Sequence, residues 1–171
     1  SAARARATAT ATTKVCRSGG TCNTTACCAV STTTTQSYSG AVTLGADTTL
    51  TGVGISLSGS VDGAKALTIN DSGTTTLGGG VGGTTALTSL TTDAGGTTAI
   101  NGGSVRTTGA QIYNDAVTLG ANATLTASSI TFNDTLAGGS NTLTVTGNAV
   151  FGDAVADTVT GLSTLSVSGA T

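Results

Sequence analysis

From Gln36 onward the apolar residues come in pairs separated by one small or polar residue: Val42 and Leu44, Ile55 and Leu57, Leu67 and Ile69, Ile130 and Phe132, Leu143 and Val145. A period of two is the mark of an extended strand with one face buried. Gly, Asn and Asp punctuate these runs; they tolerate positive φ or bond their own backbone, so they mark turns. Short strands joined by turns are therefore predicted throughout, and no stretch carries a helical period.

A longer period overlies the short one. A five-residue pattern, an aromatic or Leu followed by three small or turn-forming residues and then Val, Leu or Ile, aligns in seven copies. They are YSGAV at Tyr38, LSGSV at Leu57, LGGGV at Leu77, a degenerate GTTAI at Gly96, YNDAV at Tyr113, FNDTL at Phe132 and FGDAV at Phe151. The starting positions are evenly spaced to within a residue or two. Strand alternation inside a repeat of about 19 residues predicts an all-β, parallel β-solenoid (β-helix) of about seven coils over residues 36–171. One such coil cannot bury its own apolar face, but stacking on the next coil pairs every strand and lines a shared interior. An antiparallel meander or sandwich also has short strands at close spacing. It gives no reason for one side-chain type to recur at the longer interval. A still longer echo, QSYSGAVTLGADTTLT from Gln36 and QIYNDAVTLGANATLT from Gln111, reads as a block duplication of about four coils.

Composition sharpens this picture. Thr occurs 40 times and Gly 26 times, Pro, His, Met and Trp are absent, and charged residues make up 8% against roughly 25% in ordinary soluble domains. Missing Pro suits a chain whose strands nearly all have neighbours on both sides, since Pro would delete ladder hydrogen bonds. Residues 1–35 differ: they hold all four Cys and four of the six basic residues, with no period, and are expected to form an irregular cap, leader or linking segment. The other residues carry eight Asp against Lys65 and Arg106, a net of −6, which leaves no basic surface for nucleic acid. No apolar run approaches the roughly 20 residues of a membrane-spanning helix.

The repeats resemble those of filamentous haemagglutinin-like exoproteins and large autotransporter adhesins, where segments similar to SGAVTLGADTTLTG and GGTTALTSL recur in long arrays. The resemblance covers Gln36 to Thr171. It implies a right-handed parallel β-helix on a secreted or bacterial cell-surface protein, with a role in adhesion or extracellular scaffolding; it carries over no binding residue. Contact with a host or neighbouring cell surface follows from the same resemblance.

Chemistry-bearing residues are few. With no His and no Glu, His-based nucleophilic or general-base catalysis is excluded, and a polysaccharide-cleaving solenoid would need basic residues and longer loops, so no enzymatic activity and no cofactor are expected. Asp115, Asp134 and Asp153 occupy one slot of three successive units and are expected to stack at a turn. That column reads either as a calcium-binding ridge or as an exposed turn residue reused by duplication; neighbouring charges about 4.8 Å apart in water repel by only about 1 kcal/mol and need no cation. Cys16, Cys22, Cys27 and Cys28 lack paired CxxC spacing, which favours structural disulfides in an oxidising compartment over zinc. The sequons at Asn23, Asn70, Asn122 and Asn133 arise easily in a Thr-rich chain. Two functions then compete: a rigid adhesive or scaffolding rod, and a self-assembling filament subunit joined head to tail or by a donated strand. The repeat runs on through LSTLSVSGAT without an evident cap, which favours a longer array or association through β edges.

Overall fold

The computed structural model describes residues 28–170, together with two two-residue strands, Thr8–Ala9 and Lys14–Val15. The described residues are all-β, and every strand pairing is parallel: the chain is a β-solenoid of about seven coils. No helix among the described residues is long and apolar enough to cross a membrane.

Each coil passes through three faces. Face one stacks Gln36–Tyr38, Ile55–Leu57, Thr74–Leu77, Thr97–Ile100, Ala116–Leu119, Leu136–Ala137 and Val159–Thr160. Face two runs from Val42–Thr43 and Val61–Asp62, through a single bridge at Val81, to Ser104–Arg106, residues 123–126 and 142–145, and Thr164–Val167. Face three stacks Cys28–Ser31, Thr48–Gly52, Ala66–Asp71, Ser89–Thr92 and Ala110–Tyr113, then residues 129–132 and 148–151. The ten-residue strands Ala123–Phe132 and Thr142–Phe151 turn the corner between faces two and three without a break, the register shifting between Thr126 and Ser129. Stacking reaches upstream of Gln36, since Cys28–Ser31 pairs with Thr48–Gly52, while Thr8–Ala9 and Lys14–Val15 pair with residues 37–38 and 42–43.

Alternation places Val, Leu and Ile inside. The inward column of face two is Val42, Val61, Val81, Val105, Leu125 and Val145, none more than 5% exposed. Face three adds a stack of rings, Tyr113 on Phe132 at 5.2 Å between centroids and Phe132 on Phe151 at 5.3 Å, nearly parallel. In-register parallel stacking produces such columns, because equivalent residues of successive coils sit one strand spacing, about 4.8 Å, apart.

The coil length is not uniform. Along face one, Gln36, Ile55, Thr75, Thr98, Val117, Leu136 and Val159 are successive partners, and by these positions the steps to Thr98 and to Val159 are longer than the rest. The first long coil carries most of its extra residues between Val81 and Leu90, the last between Phe151 and Val159.

The seven aligned copies also prove to be two columns rather than one. Tyr38, Leu57, Leu77 and Ile100 share face one, whereas Tyr113, Phe132 and Phe151 share face three. Ile100 therefore stands in the first slot of its unit, not the last. Between Leu77 and Tyr113 the chain completes one long coil, closing at Ile100, and then about two thirds of the next. Each coil is three strand-and-corner units of about six residues, and a motif of five does not reveal which corner it turns.

Candidate functional site

One group of polar side chains enters the interior at the corner between faces three and one. Thr75 and Thr98 occupy the inward slot filled above and below by Ile55 and Val117, and Thr92 the slot of Ile69. Their hydroxyls are there because carboxylates are there. Asp71, 1% exposed, accepts from the amides of Gly54 (2.6 Å), Ile55 (2.8 Å) and Gly73 (2.9 Å) and from the Thr75 hydroxyl (3.0 Å). Asp115, 2% exposed, accepts from Thr92 (2.6 Å) and, with both oxygens, from Thr98 (2.8 and 3.0 Å). The two carboxylates respond differently. Burial pushes Asp71 up, but the amides of Gly73, Gly54 and Ile55 and the Thr75 hydroxyl outweigh it and hold its pKa below the ordinary value. Burial raises Asp115 more than Thr92 and Thr98 lower it, and the charge of Asp93 adds to the rise. Tyr113, fully buried beside Asp115, is also held up by burial first and by that carboxylate second.

A second device fastens corners too, at Gln111 between faces two and three and at Gln36 between faces three and one. Gln111, fully buried, donates through Nε2 to the carbonyls of Val105 (3.1 Å) and Thr126 (3.0 Å), while its Oε1 accepts from the Tyr113 hydroxyl (3.1 Å). Gln36 repeats this on another face, donating to Val30 (3.4 Å) and Thr51 (2.6 Å) and accepting from Tyr38 (2.8 Å). Each Gln thus ties the carbonyl six residues behind it to one fifteen residues ahead, in the next coil. Every buried side-chain nitrogen or oxygen among the described residues has such a partner, as burial without one would cost several kcal/mol.

Three further aspartates and two asparagines cap amides of neighbouring coils. Asp47 accepts from Ala66, Asp62 from Thr84 and Thr85 in the first insertion, Asp93 from Asp71, Asn122 from Thr142 and Asn148 from Ala170. The acidic residues of a charge-poor chain are therefore largely spent inside its own backbone.

Of the predicted column of Asp115, Asp134 and Asp153, the first two lie at equivalent places between the pairs Tyr113–Phe132 and Val117–Leu136, while Asp153 falls on the insertion between Phe151 and Val159. Asp115 is no exposed turn residue, having turned inward to the threonines. Asp134 is half-buried and accepts from the Thr135 amide, and Asp153 lies exposed on the second insertion, where its amide and that of Ala154 donate to Asp157. Among the described residues no group of three or more His, Cys, Asp or Glu converges as metal ligands would. Asn114 and Asn133 form a neighbouring column: Asn133 Nδ2 donates to Asn114 Oδ1 (2.7 Å), and Asn114 Nδ2 to the Thr92 carbonyl (2.6 Å). Cys16, Cys22 and Cys27 lie outside the described residues, and Cys28 is placed by its backbone alone, opposite Thr48. Asp71, Gln36 and Gln111 were not singled out from sequence. The recurrence of Gln-x-Tyr at both ends of the long echo was the available signal for the two glutamines.

No protein-family model matches the chain, and neither a curated protein nor a solved structure does.

Proposed function

We propose that this chain is a segment of a rigid structural rod on a secreted or cell-surface protein, used for adhesion or scaffolding rather than catalysis. One observation carries the reading: along its length, each coil is fastened to the next by in-register strands on three faces and by buried side chains whose polar atoms are engaged within the chain. A stack of this kind transmits position and load along its axis and offers length rather than a cleft. The wording of the repeats, similar to that of filamentous haemagglutinin-like exoproteins, supports the extracellular placement, as do the four cysteines.

A second reading, a filament extended coil on coil, rests on the last described coil. Val159 and Leu165 stand in the inward columns above Leu136 and Leu143, yet are 41% and 44% exposed because no further described coil covers them. A further coil of the same chain, or the first coil of another copy, would cover them.

Small-angle scattering and electron microscopy of the purified chain test both. Seven coils at about 4.8 Å each give a rod of roughly 30 Å. Dispersed short rods support the first reading and fibres with an axial subunit repeat support the second. A sphere-like particle without axial elongation would refute both.

A further inference from the structure

On the later strands of face two, outward hydroxyls fall in register. In one column Ser104, Thr124, Thr144 and Ser166 are successive partners; in the next, two residues along the strand, Thr126 pairs with Thr146. The columns repeat at about 4.8 Å across the strands and the rows at about 6.7 Å along them, two residues of strand rise. Thr124 and Thr146 are exposed, Thr126 and Thr144 half-exposed. None of these four hydroxyls has a protein partner among the described residues, unlike Thr75, Thr92 and Thr98 inside, which all donate to carboxylates. β-Branching restricts χ1, so hydroxyl and methyl are held in fixed positions before anything binds.

We propose that this face binds ice. The two repeats are close to those of oxygen positions on faces of hexagonal ice, and a crystal is the ligand whose recognition needs a periodic surface rather than a pocket. Each hydroxyl gains little alone. A rigid row of them loses almost no conformational entropy on docking, so small gains add across the lattice. The four threonines carry no charge among them, and charge would orient water against the crystal; the exposed Arg106 holds the second-column slot one strand before Thr126, level with Ser104, and bounds the lattice there. Other occupants fit less well. A polysaccharide would be met by exposed aromatic rings, and the four aromatic side chains all stand in inward columns. The other faces are interrupted: on face three the column of Thr49, Thr68 and Thr91 gives way to Ile112, Thr131 and Val150, and on face one that through Thr76 continues with Ala99, Thr118 and Ala137.

The test is the growth of single ice crystals in a supercooled solution of the purified chain, watched by microscopy as the melting and freezing points are measured. Faceted crystals and a gap between the two temperatures are expected. Thr144→Tyr, which puts a ring in the centre of the lattice, is expected to reduce the gap several-fold, while Thr118→Tyr, on face one between two alanines, leaves it unchanged; far-UV circular dichroism checks that both variants keep the fold. Round, unfaceted crystals at all concentrations would overturn the proposal. So would an undiminished gap in folded Thr144→Tyr, or equal losses in both folded variants, which would remove the assignment from face two. None of these outcomes depends on whether the rods join into fibres.

Discussion

Replacing Gln111 by Leu keeps most of its volume and removes its hydrogen bonds. The variant loses two bonds to the carbonyls of Val105 and Thr126 and strands the Tyr113 hydroxyl, whose acceptor was Gln111 Oε1. The Thr126 carbonyl keeps the Thr107 amide at 2.9 Å, so its loss is partial. The Tyr113 hydroxyl keeps nothing in its fully buried site. A net bond contributes about 1 kcal/mol and an orphaned buried group costs about 1 to 3 kcal/mol, so Gln111→Leu is expected to destabilise by about 2 to 4 kcal/mol. Tyr113→Phe alone orphans Gln111 Oε1 and costs about 1 to 2 kcal/mol. The double variant removes both ends of that bond and leaves neither orphan, so its cost falls short of the sum by about 1 to 2 kcal/mol. Urea unfolding followed by circular dichroism on the four proteins closes the cycle. Additive costs, or a Gln111→Leu variant as stable as the parent, would refute the pin.

Gly79→Ala places a Cβ 2.3 Å from the Gly59 carbonyl oxygen and is expected to cost about 1 to 3 kcal/mol in thermal unfolding, whereas Gly83→Ala, with nothing within 4 Å, is expected to be neutral or slightly stabilising; equal melting points would contradict the stacked glycine corner. The pH dependence of urea unfolding is expected to show two opposed contributions. Asp115 has its folded pKa raised, so its contribution is fully present below the unfolded value of 3.8 and is lost as pH rises through the folded pKa. Asp71 has its folded pKa lowered, so its contribution is present above 3.8 and is lost as pH falls through the folded pKa. Asp115→Asn should flatten the first slope and Asp71→Asn the second, and unchanged profiles would remove the assignment. Leu143→Ala, fully buried, is expected to cost about 2 to 5 kcal/mol, and Leu165→Ala, in the same column but 44% exposed, well under half as much; equal losses would mean that the last coil is covered in solution.

Much of the fold was legible because two periods are written in different residues. Pairs such as Leu67 and Ile69 mark strands, and the recurrence of like residues at a nearly constant longer interval requires parallel stacking. The phase of the coil was not legible. Three corners of similar length turn the chain, and the third slot of the motif holds Gly40, Gly59 and Gly79 at the corner from face one to face two but Asp115 and Asp134 at the corner from face three to face one. Gly is required at the first corner because successive backbones touch there: a Cβ on Gly59 or Gly79 would lie 2.3 Å from the carbonyl oxygen one coil below. Asp fits at the second, where amides and hydroxyls lack acceptors. Spacing alone treats these as one motif. The inward turn of Asp115 was invisible for a related reason, since its partners Thr92 and Thr98 belong to other stretches of the sequence and look like every other Thr.

The long echo carries this one step further. Three coils along face one carry the chain from Gln36 only to Thr98, well short of Gln111. The stretch between Thr98 and Gln111 moves the same wording from face one to face three. Its Gln still ties the carbonyl six residues back to the one fifteen residues ahead, and its Tyr still closes on the Gln oxygen. The transferable unit is therefore the strand with its corner, not the coil. A segment copied out of phase by a third of a turn still finds a parallel neighbour above and below, an inward slot for alternate residues, and a carbonyl within reach of its pin. That tolerance explains how coils of unequal length coexist in one stack: insertions leave at the corners, where Asp62 caps Thr84 and Thr85 and Asp157 caps Asp153 and Ala154, while the strands on either side keep register. The interior columns constrain each strand only through its alternation. The outward slots are left free to vary from coil to coil, which is how Thr49, Thr68 and Thr91 give way to Ile112 on face three while Thr124 and Thr126 pair with Thr144 and Thr146 on face two.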